Sequence, residues 1–138
     1  MAANFKAPIK AMDEKQKEWF ATAMVSMVLA DGDVAPSEVE SLTSSISFIE
    51  SNEAAERLKK YLHHMTMPNL TAFSGWANKP KAKALLMIDL LEVAIADRDL
   101  APKEQEQFER IGKLLGFDHF QVQRFLNMGT QAMQHMDG

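Results

Sequence analysis

The sequence has few of the residues that cross-link a fold or break its helices. Among 138 residues there are no cysteines, six glycines, five prolines and 8% aromatic side chains. The absence of cysteine excludes a thiol nucleophile, thiolate metal sites and any disulfide framework. No apolar run approaches the roughly 18 to 20 residues that a membrane-spanning helix needs, so we expect no insertion into a membrane.

The chain also lacks an excess of positive charge. Fifteen Lys and Arg stand against nineteen Asp and Glu, which gives a net charge of −4. A domain of this sign has no general attraction to nucleic acid, so we expect no nucleic-acid partner. The first twelve residues, MAANFKAPIKAM, lack the apolar core of a signal peptide. We therefore predict a cytoplasmic protein.

Apolar residues recur at intervals of three and four, which predicts an all-α fold. The residues that cap a helix or begin one predict a single compact bundle of about six or seven helices. The signals for helix starts are the N-cap Asp13 with Gln16 at capping-box spacing, Pro36, the N-cap Asn52, Asn78 with Pro80, Pro102, and the N-cap Asp118. We expect the second helix to extend to about Ser51, one helical turn at 70–73, and a left-handed helix end at Gly116.

Ten methionines are the largest compositional excess. Met24, Met27 and Met87 fall on the apolar stripes of predicted helices, where a flexible thioether fills gaps in a core. The methionines of the polar C-terminal segment have no such pattern and could line an adaptable surface: Met128, Met133 and Met136.

One acidic block occurs twice. ADGDVAPSEVE occupies 30–40 and ADRDLAPKEQE occupies 96–106, an offset of 66 residues. We call these blocks the first and second elbow. The duplication predicts two similar halves, at about 13–66 and 79–130, related by a pseudo-twofold axis within one domain at 13–138, with 1–12 as an N-terminal extension.

Each elbow places carboxylates at the end of a helix, where the helix dipole disfavours them by roughly 0.3 to 1 kcal/mol. Two interpretations follow. In the first, the acids only cap the next helix, with Glu38 and Glu104 each forming half of a capping box. In the second, they bind a divalent cation, because hard carboxylate oxygens suit Ca²⁺ or Mg²⁺.

The first elbow resembles the second half of an EF-hand loop, but the first half of that loop is missing. Met27 and Leu29 stand where ligands would be needed. Any cation would therefore have few protein ligands and bind weakly. The first elbow is the better candidate, since Gly32 allows a positive φ whereas Arg98 places a competing cation beside Asp97 and Asp99.

The two elbows, together with the segment FERIGKLLGFD at 108–118, resemble the TerB family of tellurite-resistance proteins and the related N-terminal domain of the DjlA type of DnaJ co-chaperone. The resemblance implies an all-helical, internally duplicated fold with an acidic patch that binds metal. It implies a stress-response module that acts through protein partners, in a membrane-associated complex. The implied metal ligands are Asp31, Asp33, Glu38, Asp97, Asp99 and Glu104.

A second function stays open, in which the elbows are only caps and a co-chaperone-like helical domain binds partners through an apolar groove. An enzyme is disfavoured, because no serine nucleophile elbow, HExxH motif or phosphate-binding loop accompanies the paired carboxylates. We therefore predict a non-catalytic protein with no catalytic residues and no cofactor other than a weakly bound Ca²⁺ or Mg²⁺.

Overall fold

The computed structural model describes residues 5–30, 32, 36–95 and 101–137. In these residues it contains helices and no strands, as the periodicity predicts. The six α-helices are α1 (Glu14–Ala30), α2 (Pro36–Ser45), α3 (Asn52–His64), α4 (Pro80–Ile95), α5 (Pro102–Leu114) and α6 (His119–Asp137), with short 3₁₀ helices at Ile9–Ala11 and Ser74–Trp76.

Two of the predicted helix caps are formed as expected. The Asp13 carboxylate accepts a hydrogen bond from the Gln16 main-chain N–H at 2.8 Å, and the Gln16 side chain accepts one from the Asp13 N–H at 2.9 Å. Asp118 and Gln121 make the same reciprocal pair at 2.8 and 2.9 Å. Each pair satisfies two main-chain donors that the first turn leaves without a helical acceptor.

The predicted left-handed helix end at Gly116 is confirmed. Gly116 has a φ of 94°, and α5 ends two residues before it. The N–H of Phe117 donates to the Gly112 carbonyl at 2.9 Å, and the N–H of Gly116 donates to the Lys113 carbonyl at 3.0 Å. This pair of bonds is the Schellman motif, which a residue without a Cβ adopts at low cost.

Three local expectations are wrong. Helix α2 ends at Ser45 rather than near Ser51, in a stretch rich in Ser and Thr, residue types that disfavour a helix interior; the Thr43 hydroxyl donates to the Val39 carbonyl. Helix α3 is capped by Ser51, the residue before Asn52. The helical turn expected at 70–73 lies at Ser74–Trp76 instead.

The core surrounds α1 and α4. Helix α1 packs against α3, α4 and α5, and α4 packs against α5 and α6 as well. The three methionines predicted to face inward, Met24, Met27 and Met87, are fully buried there beside Phe20 and Phe108. The thioethers of this group therefore act as packing groups rather than as metal ligands.

The helix starts repeat at nearly the same spacing as the elbows. Helices α1 and α4 begin 66 residues apart, α2 and α5 also 66, and α3 and α6 begin 67 apart. The segment before the first helix of each half crosses to the first helix of the other half. We call these segments the N-terminal strap, residues 5–12, and the central strap, residues 70–76.

The two straps dock in different ways. The central strap accepts hydrogen bonds on its main-chain carbonyls: the Trp19 indole donates to Thr71 at 2.8 Å, and the Gln16 amide donates to Gly75 at 2.9 Å. The N-terminal strap instead donates two main-chain N–H groups to a carboxylate on α4. Each strap thus contacts the first helix of the half that it does not precede.

Candidate functional site

The first elbow joins α1 to α2. Helix α1 ends at Ala30, and Gly32 follows with a φ of 76°, its N–H donating to the Leu29 carbonyl at 3.0 Å. Gly32 therefore adopts the positive φ that the absence of a Cβ allows. Pro36 then begins α2 at its first position, where its missing N–H leaves no helical bond unmade.

The second elbow joins α4, which ends at Ile95, to α5, which begins at Pro102. Ala101 is the N-cap, with extended φ and ψ of −61° and 149°. Its side chain has no oxygen, but the Glu104 carboxylate accepts a hydrogen bond from the Ala101 N–H at 3.2 Å. The half capping box predicted for Glu104 is therefore present.

Glu104 is buried, with 7% of its surface exposed. A carboxylate so far from water requires polar partners, and the Ala101 N–H supplies one of them. Its counterpart Glu38 lies in α2, where the helix backbone is described but the Glu38 side chain is not. The acids two residues further on, Glu40 and Glu106, are both exposed.

The other predicted ligands, Asp31, Asp33, Asp97 and Asp99, lie outside the described residues. Within the ranges that the structure describes, no group of three or more His, Asp or Glu side chains stands together at distances that would hold a metal ion. The proposal that the elbows bind a cation therefore stays a prediction. The interpretation that the elbow acids cap helices is supported by the hydrogen bond from the Ala101 N–H to Glu104.

One buried acid was missed by the sequence analysis. Asp89 lies in the middle of α4, inside an apolar run, and is 2% exposed. Its two oxygens accept hydrogen bonds from the main-chain N–H groups of Lys6 and Ala7 at 2.9 and 2.8 Å. A single acid in an apolar stretch is a detectable signal, but its partners are more than eighty residues away in the sequence.

A hydrogen bond between α5 and α6 was also missed. His119, at the start of α6, places Nδ1 at 2.5 Å from Oε1 of Glu109 on α5. The hydrogen bond between them lowers the pKa of the Glu109 carboxyl below its ordinary value. This pair ties the start of α6 to α5 on the exposed side of the helix pair.

The fold, the junctions and the duplicated elbows agree with one known family. The family model described as tellurite resistance protein TerB matches residues 21–127 of this chain. The chain belongs to the TerB family. The match begins in α1, ends in α6 and includes both elbows, which is the range that the resemblance of the elbow motifs predicts.

Further comparisons add no closer relative. No curated protein and no solved structure matches the chain at a significant level. Among the helices of the described residues, none combines the length and the apolar character needed to cross a bilayer.

Proposed function

We propose that this TerB-family chain is a non-catalytic stress-response module whose duplicated acidic elbows bind a divalent cation, a protein partner, or both. The proposal rests on the positions of the two elbows. Both elbows occupy the same junction of the repeat, between a buried helix and a helix that begins with proline, 66 residues apart. Two copies of one acidic sequence at equivalent junctions favour a shared binding role over two unrelated caps.

The chemistry of the elbows supports a hard cation. Each contributes two Asp and one Glu within eight residues, and carboxylate oxygens are the ligands that Ca²⁺ and Mg²⁺ prefer. The acids also follow the C-terminal end of a helix, where the dipole repels them and a bound cation would relieve that repulsion. The missing first half of an EF-hand loop predicts weak binding, on the order of millimolar.

A titration of the full chain with Ca²⁺, and separately with Mg²⁺, tests the cation part. We expect backbone amide shifts at 30–40 and smaller ones at 96–106, with half-saturation on the order of 1 mM. Asp31→Asn should weaken the response of the first elbow by about tenfold, since it removes one charged ligand. Glu56→Gln, a change at an exposed acid of α3, is the matched control and should leave the titration unchanged.

If the backbone amides do not shift with Ca²⁺ and do not shift with Mg²⁺ at about 10 mM, the cation part of the proposal is wrong. The partner role would then be examined by capture of native partners with and without chelator. Retention that depends on the elbow acids but not on chelator would assign the elbows to a protein partner alone.

A second candidate function is binding of a partner through an apolar surface, with the elbows as caps. It is favoured by two large apolar side chains of α6, because Phe120 is 79% exposed and Met128 is 51% exposed. Exposing such side chains to water adds no stability to a monomer, so they are candidates for contact with a partner. Met133 and Met136 lie in the same helix, and their side chains are outside the described residues.

A pair of variants separates the two candidate functions. If the surface of α6 binds the partner, Phe120→Ser should reduce partner capture by tenfold or more, the size expected for loss of an aromatic anchor. Asp31→Asn should leave capture intact. The opposite pattern, with capture lost in Asp31→Asn and kept in Phe120→Ser, would assign partner binding to the elbows.

A further inference from the structure

Five consecutive exposed residues stand at the C-terminal end of α3 and just beyond it. They are His63, His64, Met65, Thr66 and Met67, and we call residues 63–67 the His-Met segment. The segment holds two of the four histidines and two of the ten methionines of the chain. Two imidazoles and two thioethers therefore occur within five positions.

Main-chain hydrogen bonds fix the backbone of the His-Met segment. The Thr66 N–H donates to the Tyr61 carbonyl at 2.9 Å, and the Met65 N–H donates to the Leu62 carbonyl at 3.4 Å. This pair of bonds is the Schellman motif at the end of α3. Because Leu62 before the segment and Pro68 after it are buried, the exposed residues are anchored on both sides.

Met65 occupies a backbone position that helices usually give to glycine or asparagine. Its φ and ψ are 53° and 37°, in the left-handed region, where a Cβ costs free energy. Among the described residues, the other non-glycine at positive φ is Asn78, a residue type that tolerates this region. Ending the helix therefore gives no reason for a methionine at 65.

Core packing gives no reason for the thioethers of the segment either. Met65 is 47% exposed and Met67 is 42% exposed, whereas Met24, Met27 and Met87 are fully buried. A methionine that fills a gap in a core lies among other apolar side chains. The sulfurs at 65 and 67 thus remain accessible to a ligand from solvent.

The two imidazoles of the segment lie together. Adjacent residues of a helix project about 100° apart, yet the ring centroids of His63 and His64 are only 5.1 Å apart. A metal ion bound at about 2.0 Å by one nitrogen of each ring would lie about 3.2 Å from each ring centre. Rings 5.1 Å apart then subtend an angle of about 105° at the ion, close to the tetrahedral angle.

We propose that the His-Met segment binds a soft monovalent cation, Cu⁺, through the imidazoles of His63 and His64 and the thioethers of Met65 and Met67. Thioethers select Cu⁺, and imidazole also binds copper. The three rotatable bonds of each methionine let its sulfur reach an ion at the imidazole pair. The set contains no carboxylate, so it does not suit the Ca²⁺ or Mg²⁺ proposed for the elbows, and the inference does not depend on them.

The charges around the segment favour an ion with a single charge. The C-terminal end of α3 carries the negative pole of the helix dipole, which attracts a cation. Lys60, one turn before His64, is exposed and repels a monovalent ion half as strongly as a divalent one. Lys59 is partly neutralised by Glu56 at 3.9 Å. The dipole alone would favour histidines at this helix end, but it gives no reason for neutral thioethers.

Titration of the full chain with Ag⁺ in chloride-free buffer tests the proposal. Ag⁺ has the charge of Cu⁺ and the same preference for soft donors, and air does not oxidise it. The measurement is the proton–carbon NMR spectrum of the methionine methyls and histidine rings. We expect one equivalent of Ag⁺ to shift Met65, Met67, His63 and His64, with a Kd on the order of 1 μM or lower. Cu⁺ added without oxygen should shift the same groups.

Five single variants, all at exposed side chains, identify the ligands. Met65→Leu and Met67→Leu keep an apolar side chain of similar size but remove the sulfur, so each should weaken Ag⁺ binding at least tenfold. Met128→Leu, at a similarly exposed methionine of α6, is the matched control and should leave binding unchanged. His64→Gln should also weaken binding at least tenfold, whereas His119→Gln should not.

Three results would overturn the proposal. Equal Ag⁺ affinity in the wild-type chain and in both leucine variants at 65 and 67 would show that the thioethers are not ligands. Shifts of Met128 as large as those of Met65 and Met67 would show that Ag⁺ binds any exposed sulfur. Zn²⁺ bound as tightly as Cu⁺, with unmoved methionine methyls, would assign the histidines to a borderline ion and not to a soft-metal site.

Discussion

Phe108→Ala should lower the free energy of unfolding by about 3–5 kcal/mol, the range for truncating a buried phenylalanine. Phe108 is fully buried on α5, and its ring meets Phe125 of α6 edge-on at 6.5 Å. Because α5 also packs against α1 and α4, the cavity would open between elements of both halves, where none can move without disturbing another. Urea denaturation followed by circular dichroism measures the loss.

The control for this prediction is Phe120→Ala. It removes the same side chain from an exposed position and should change the free energy of unfolding by no more than about 0.5 kcal/mol. Comparable losses in the two variants would contradict the placement of Phe108 in the core. A changed slope of the denaturation curve would indicate an altered unfolded or native state, and the comparison would then use calorimetry.

Gly112→Ala should destabilise the protein by about 1–3 kcal/mol, the cost of overpacking a core. This is opposite to the usual gain of about 1 kcal/mol when alanine replaces glycine within a helix. A Cβ at Gly112 would lie 2.6 Å from Cγ2 of Val122 and 3.0 Å from Cε of Met87. The Met87 methyl can swing away, but Val122 is β-branched, buried and stiff, so α6 would have to move.

The double variant Gly112→Ala with Val122→Ala tests that explanation. Removing the valine methyls creates the space that the new Cβ needs, so the combined loss should be smaller than the sum of the single losses by at least about 1 kcal/mol. Strict additivity, measured by the same denaturation curves, would show that close approach of α5 and α6 is not the reason for glycine at this position.

Features encoded within a few residues were predictable from the sequence. The capping pair Asp13–Gln16, the cap Asp118 and the left-handed Gly116 depend on local geometry alone, and all three are confirmed. The helical fold and the family followed from periodicity and from the repeated elbows.

Features that depend on distant partners were not predictable in the same way. The end of α2 is a local feature, but no glycine or proline marks it in the sequence. The role of Asp89 depends on N–H groups 82 and 83 residues away. Of the candidate site, the sequence predicted the capping bond of Glu104 correctly, while the ligand role of the elbow acids stays a prediction.

The crossed straps make the two halves mutually dependent. The strap that precedes α1 covers α4, and the strap that precedes α4 covers α1. The first three helices alone would keep the Phe5–Phe20–Phe48 ring cluster, but they would lose Asp89, on which the N-terminal strap docks, and the Thr71 carbonyl that accepts from the Trp19 indole. Neither set of three helices is therefore complete without the segment or the docking carboxylate that the other side supplies.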